Sequence, residues 1–123
     1  MIKVPKILKR LFFNQVWNIP NTDNTVYLTF DDGPTPEITE KILEILEKHQ
    51  IKATFFCIGD NVRKYPEIVQ KIISKHHSVG NHTYSHLKGW KTNTKTYLSN
   101  TEACEIKLNS LFKIYNSKLF RPP

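Results

Sequence analysis

A chain of 123 residues can bury the core of one small domain but not of two. Hydrophobic residues make up 39% and charged residues 24%, which excludes a disordered chain, and no apolar run is long enough to cross a bilayer. The net charge of +7, from 18 basic and 11 acidic residues, comes without interleaved aromatics. That argues against a nucleic-acid partner and for a solvated basic surface, with weak attraction to anionic cell-wall polymers or lipid as the alternative.

Residues 1–24 read as a basic lead. "MIKVPKILKRLFF" lacks the unbroken apolar stretch and small-residue cleavage site of a secretory signal. Location is therefore left open, cytoplasmic by default with cell-envelope association as the alternative. Ile7, Leu8, Leu11 and Phe12 share one helical face, with Lys6, Lys9 and Arg10 largely off it. Such a stripe usually faces a core, so a short helix packed on the domain is expected, and a membrane-surface anchor is the alternative.

From Thr25 the pattern alternates. Val26 to Asp31 reads as a strand, and Thr35 and Pro36 then supply an N-cap and a first-turn proline. Ile38, Ile42, Ile45 and Leu46 follow at helical spacing. Ala53 to Ile58 is a second strand, closed by Gly59. A second helix runs through "PEIVQKIISK" with Ile68, Val69, Ile72 and Ile73 as its stripe. A short third strand, about Ser78 to Asn81, leads into "HTYSH". A third helix places Tyr97, Thr101, Cys104, Leu108, Leu111 and Tyr115 at three- and four-residue steps, and Lys118 to Arg121 begins a fourth strand. Cys57 and Cys104 lie in apolar settings and read as buried small hydrophobes. This βαβαβαβ order predicts a parallel sheet with right-handed crossovers. Asp31-Asp32, Gly59-Asp60-Asn61, His82 to His86 and Arg121 all fall just after strands. Ligand sites collect at that edge, so these residues are expected to converge.

His82 and His86 are four apart, and a helical turn would put both imidazoles on one face, able to grip one metal ion. The bland reading is a satisfied helix-cap pair. His49, His76 and His77 lack such context and read as surface residues. A carboxylate from Asp31-Asp32 would complete a His₂-carboxylate set, with zinc the default ion and other divalent metals also suited. Adjacent strand residues point to opposite faces, but a bend permitted by Gly33 would let both aspartates reach one cleft, one on the metal and the other free to take a proton. Alternatively, one of them caps the helix near Pro36. A phosphatase pattern needs its carboxylates two apart, so phosphoryl transfer is not expected.

"TFDDGP", "HTYSH" and the terminal "RPP", in that order, resemble the first three motifs of the polysaccharide deacetylase (NodB-like) family, carbohydrate esterase family four. "KATFFCIGDN" and "VGNHT" resemble strands of the same family, so the likeness runs from about Thr25 to Pro123. The resemblance implies a distorted (β/α) barrel and a metal-dependent hydrolase that removes acetyl groups from N-acetylated sugars such as peptidoglycan or chitin-like glycans. It implies Asp31 as general base, Asp32, His82 and His86 as metal ligands, and Arg121 as the residue that orients the base. Pro122 and Pro123 would belong to the groove-forming segment. The expected cofactor is a divalent metal ion, zinc first, with cobalt or another transition metal as the alternative.

The family pattern continues with an aromatic oxyanion-hole residue, an Asp-rich motif ending in Trp and a Leu-x-His motif, none of which follows here. The expectation is an incomplete barrel of about four parallel strands and three helices, truncated in the third motif, weakly active or inactive alone, poorly stable and prone to associate. The rival readings are a non-catalytic glycan- or metal-binding remnant and an amide hydrolase acting on a non-sugar substrate.

Overall fold

The computed structural model describes residues 5–17, 19–20, 23–112 and 118–123. Its strands are Leu28–Gly33 (β1), Ala53–Cys57 (β2) and Ser78–Asn81 (β3). Its α-helices are Lys6–Leu11 (α1), Ile38–Lys48 (α2), Gly59–Lys64 (α3), Pro66–Ser74 (α4) and Thr94–Leu111 (α5). The strands pair in parallel in the order β1-β2-β3, which gives the expected α/β architecture.

Burial on β2 explains the layering. Ala53, Phe55 and Cys57 alternate onto one face and join a single core with Leu43 and Leu46 of α2, Val62 of α3, Val69 and Ile72 of α4, Val79 of β3, and Cys104 and Leu108 of α5. Phe30 of β1 stacks on Phe55 at 5.1 Å between ring centroids, on the same face. Phe56 points the other way and lies beneath the Arg121 guanidinium, 4.3 Å from ring centroid to Cζ. Thr29 and Asp31 share that second face, since both hydrogen-bond to Arg121. The backbone of β3 approaches Phe56 so closely that a Cβ on Gly80 would sit 2.6 Å from the ring. Helices thus cover one face of the sheet, and the other carries polar chemistry.

Several boundaries differ from the expectation. Only Leu28 onward faces a partner, because the β1–β2 register begins at Leu28↔Ala53, and Val26 and Tyr27 stay exposed. The helix after β1 begins at Ile38, and Thr35 does not cap it. The Thr35 N–H instead donates to Oγ1 of buried Thr39 at 2.8 Å. The buried face of α2 is Thr39, Leu43 and Leu46, while Ile38 and Ile45 are each 60% exposed. The apolar arc is wider than the contact it makes. The polar run Gly59–Lys64 is helical, held by buried Val62 and by Asp60 pairing with Arg63 and Lys64. Beyond the lead there are consequently four α-helices among the described residues where three were expected.

The expected fourth strand is a single parallel bridge, Asn81↔Phe120. The Asn81 N–H donates to Leu119 and the Arg121 N–H to Asn81, after which Pro122 and Pro123 have no N–H to continue a ladder. α5 buries Cys104 and Leu108 as expected, leaves Leu111 exposed, and is capped by Asn93, whose Oδ1 accepts from the Thr96 N–H at 2.9 Å. Tyr115 lies outside the described residues. α1 forms where expected, yet none of its residues is buried, so it is not packed on the core. No helix among the described residues is long and apolar enough to cross a membrane. Both cysteines are free and fully buried, and burial pushes both thiols up, Cys104 to about 11. His49 and His76 are exposed, but His77 is buried, because its Nδ1 accepts the Ala53 N–H at the start of β2.

Candidate functional site

The adjacent aspartates separate at a backbone turn. Asp32 itself adopts φ 68°, a left-handed conformation that Asp tolerates better than most residues, so the bend lies at Asp32 and not at Gly33. The β1–β2 register shifts between Phe30 and Gly33, which places an irregularity at this point. The carboxamide of Asn61, on α3, donates to the Asp32 carbonyl at 2.9 Å and holds the turn. Asp31 then faces Arg121 while Asp32 faces the histidines. Neither caps α2, which has no side-chain cap.

Oδ1 of Asp32 lies 3.2 Å from Nε2 of His82 and 3.0 Å from Nε2 of His86. The ligating atoms of these three residues all fall within 4.8 Å of one another. His82 is buried, Asp32 is 65% exposed and His86 40%, so the cluster has a protein side and a solvent side. The histidines do not share a helical turn. Thr83 and His86 both have positive φ, and residues 82–88 form a loop. The loop N–H groups are taken by side chains: Thr83 donates to Asn81 Oδ1 at 2.8 Å, and Tyr84 and Ser85 to Asn100 Oδ1 at 2.9 and 3.0 Å. The loop is also tied to α3, through Gly59 N–H to Thr83 and Asp60 N–H to Tyr84.

Arg121 joins the two halves of the cluster. Its carbonyl accepts from His82 Nδ1 at 2.8 Å, and its Nη1 donates to Asp31 Oδ1 at 2.9 Å and to Thr29 Oγ1 at 2.8 Å. A carbonyl can only accept, so Nδ1 of His82 carries a proton, and Nε2 is the ring nitrogen that faces Asp32. Pro122, exposed, and Pro123, partly buried, follow Arg121 directly. Asp60 takes no part, because Lys64 and Arg63 occupy its carboxylate and lower its pKa.

Asp31, Asp32, His82, His86 and Arg121 therefore meet at one end of the sheet, as the topology predicted. Of the supporting residues, Thr29, Asn61 and Asn81 lie within "TFDDGP", "KATFFCIGDN" and "VGNHT" without being assigned a role there, and Asn100 carried no sequence signal.

The sequence profile described as polysaccharide deacetylase matches residues 18–123. A peptidoglycan-N-acetylglucosamine deacetylase of Bacillus cereus is 46% identical over 104 residues, which is 85% of this chain and 38% of that protein. A chitooligosaccharide deacetylase of Rhizobium leguminosarum bv. trifolii is 45% identical over 64 residues, 52% of this chain and 30% of that protein. Among solved structures, a peptidoglycan N-acetylglucosamine deacetylase in complex with 4-naphthalen-1-yl-N-oxidanyl-benzamide matches with TM-score 0.79 and 46% identity, over 84% of this chain and 48% of that one. A family 4 carbohydrate esterase from Streptomyces lividans in complex with acetate matches with TM-score 0.75 and 29% identity, over 82% of this chain and 52% of that one. The chain thus spans between 30% and 52% of the length of these relatives. With a profile match over most of its length and this sheet-end cluster, the chain belongs to the polysaccharide deacetylase family.

Proposed function

We propose that this chain supplies the metal-binding and base-supplying part of a hydrolase that removes N-acetyl groups from polysaccharides such as peptidoglycan or chitin-like glycans. The sheet would be one sector of a distorted (β/α) barrel. The observation that carries the reading is the convergence of Asp32 Oδ1 with Nε2 of His82 and of His86, beside an Asp31 held by Arg121.

The donor set fits a divalent cation. Two imidazoles and one carboxylate suit zinc first, and cobalt or another transition metal next, with protein ligands on one side and solvent on the other. The His82 Nδ1–Arg121 hydrogen bond fixes the tautomer that a metal ligand needs. Asp32, His82 and His86 would hold the ion. When bound, it supplies Lewis acidity toward the acetyl carbonyl and toward a water molecule.

Of the remaining steps, this chain's own residues account for activation of the water, and protonation of the leaving amine would fall to a general acid outside this cluster. Asp31 takes the proton of the attacking water through its carboxylate. Arg121, itself held by Thr29 Oγ1, keeps that carboxylate in one orientation, so the transfer needs no search over rotamers. Asn61 holds the turn that separates base from ligand. Pro122 and Pro123 would line the groove that receives the glycan.

The test is a zinc titration by calorimetry, coupled to acetate release from an N-acetylated chito-oligosaccharide. One equivalent bound by the wild type and lost in His82→Ala, with slow zinc-dependent acetate release by a chain that spans less than half of the peptidoglycan deacetylases it matches, is the expected result. Zinc bound without acetate release would favour a non-catalytic metal-binding role, and no zinc bound would overturn the metal assignment.

A further inference from the structure

We propose that Asn100 is a positioning residue for the metal ligand His86, acting from α5 through the loop between the two histidines. The inference rests on the reading of Asp32, His82 and His86 as metal ligands.

The loop has no fold of its own to keep it in place. Thr83 and His86 sit at φ 63° and 55°, conformations disfavoured for side chains of their size, and no helical hydrogen bonds join the histidines. Three successive N–H groups, of Thr83, Tyr84 and Ser85, donate instead to asparagine side chains. Asn81 takes the first and is anchored in turn by its Nδ2, which donates to the Thr101 carbonyl of α5 at 2.8 Å. Asn100 takes the other two through one oxygen, and its Nδ2 donates to Ser85 Oγ at 3.3 Å. Its hold is therefore on the residues directly before His86.

Asn100 can do this because of where α5 is fixed. It lies one turn before Cys104 and two before Leu108, both fully buried, so the three share one helical stripe. The core contacts of Cys104 and Leu108 set the rotation of the helix, and that rotation points the carboxamide at the loop. His82 needs no such help. Its N–H donates to the Cys57 carbonyl and its Nδ1 to Arg121. His86, 40% exposed, touches the other two members of the cluster, Asp32 at 3.0 Å and the His82 ring edge-on at 5.2 Å between centroids, but has no main-chain partner for its ring among the described contacts and depends on the loop.

Asn100→Asp keeps an oxygen where Oδ1 stands, whereas Asn100→Leu keeps the size and removes the acceptor. Outer-shell partners of a metal site typically change affinity about 10–100-fold. The experiment measures zinc affinity by chelator competition and the visible spectrum of the cobalt form, alongside thermal unfolding of the metal-free protein. Asn100→Leu is expected to lower zinc affinity at least about tenfold and to alter the cobalt bands, with Asn100→Asp within about threefold of wild type. If Asn100→Leu does not fold, Asn100→Gln decides, since its longer side chain displaces the acceptor and is expected to weaken zinc in the same direction. Wild-type affinity and spectrum in the folded variant would overturn the inference while leaving the metal site standing. A wild type that binds no zinc would overturn both.

Discussion

The main-chain carbonyl of Arg121 accepts the Nδ1 proton of His82 at 2.8 Å, across 39 residues of sequence. The Arg121 side chain, reaching across the other face of β2, holds Asp31. One residue thus supports the proposed ligand His82 through its backbone and the proposed base Asp31 through its side chain, and substitution separates the two roles. Arg121→Ala removes the guanidinium and keeps the carbonyl. Zinc affinity is expected to stay within about threefold of wild type, while acetate release falls by about 10²-fold as the base loses its orientation. Arg121→Lys is expected to rescue little, because one ammonium does not reproduce the planar fork stacked on Phe56. Equal loss of zinc and activity in Arg121→Ala would show that the two roles are not separable.

The aspartates make a sharper pair. Asp32→Asn is expected to abolish tight zinc binding, since its Oδ1 faces both histidine Nε2 atoms. Asp31→Asn is expected to bind zinc normally and lose about 10²–10⁴ in turnover, the usual worth of a general base. Calorimetry and acetate release on both variants check this. Loss of metal binding with retained activity in Asp31→Asn would exchange the assignments.

Much of this was legible because parallel α/β sheets concentrate chemistry at one edge. β3 was readable to the residue, and the Ile68, Val69 and Ile72 stripe of α4 is buried as its spacing implies. Elsewhere local pattern and tertiary geometry diverged. A four-residue histidine spacing suggests a helix, but the loop N–H groups find better acceptors in Asn81 and Asn100, contacts between segments far apart in sequence. Gly33 looked like the bend because glycine is permissive, yet Asp32 takes the left-handed conformation. The run of Gly59–Lys64 has one apolar side chain, Val62, and no periodicity to betray a helix. His77 looked like a surface residue because nothing near it in sequence shows that β2 begins beside it.

Gly59 offers a steric test of the same loop. A Cβ at this first residue of α3 would lie 2.5 Å from Cδ2 and 3.1 Å from Cα of Tyr84. The clash is with the base of the ring and the backbone, so the loop must move. Gly59→Ala is expected to destabilise the fold by about 1–3 kcal/mol, the usual range for overpacking. Zinc affinity is expected to fall as well, because Tyr84 precedes His86 by two residues. Denaturant unfolding and chelator competition measure the two effects, and an unchanged stability would mean that the loop yields freely.

His77 predicts a pH dependence remote from the site. Its imidazole is 7% exposed, accepts the Ala53 N–H through Nδ1 at 3.2 Å, and meets Phe55 edge-on with centroids 5.6 Å apart. Burial is the largest cause lowering its pKa below the ordinary 6.5, followed by the charges of Lys52 and Lys75, with a smaller opposing effect of Glu47 and a further lowering by His76. Below the unfolded value the unfolded chain binds a proton that the folded protein refuses, so stability falls as pH falls through that window. Above it His77 is neutral in both states and the contribution is complete. His77→Asn keeps an acceptor for Ala53 and cannot titrate. Between about pH 7.5 and 5.5 the melting temperature of the wild type is expected to drop more steeply than that of His77→Asn. All other titrating groups are common to both proteins, so parallel curves would mean that His77 is not the group responsible.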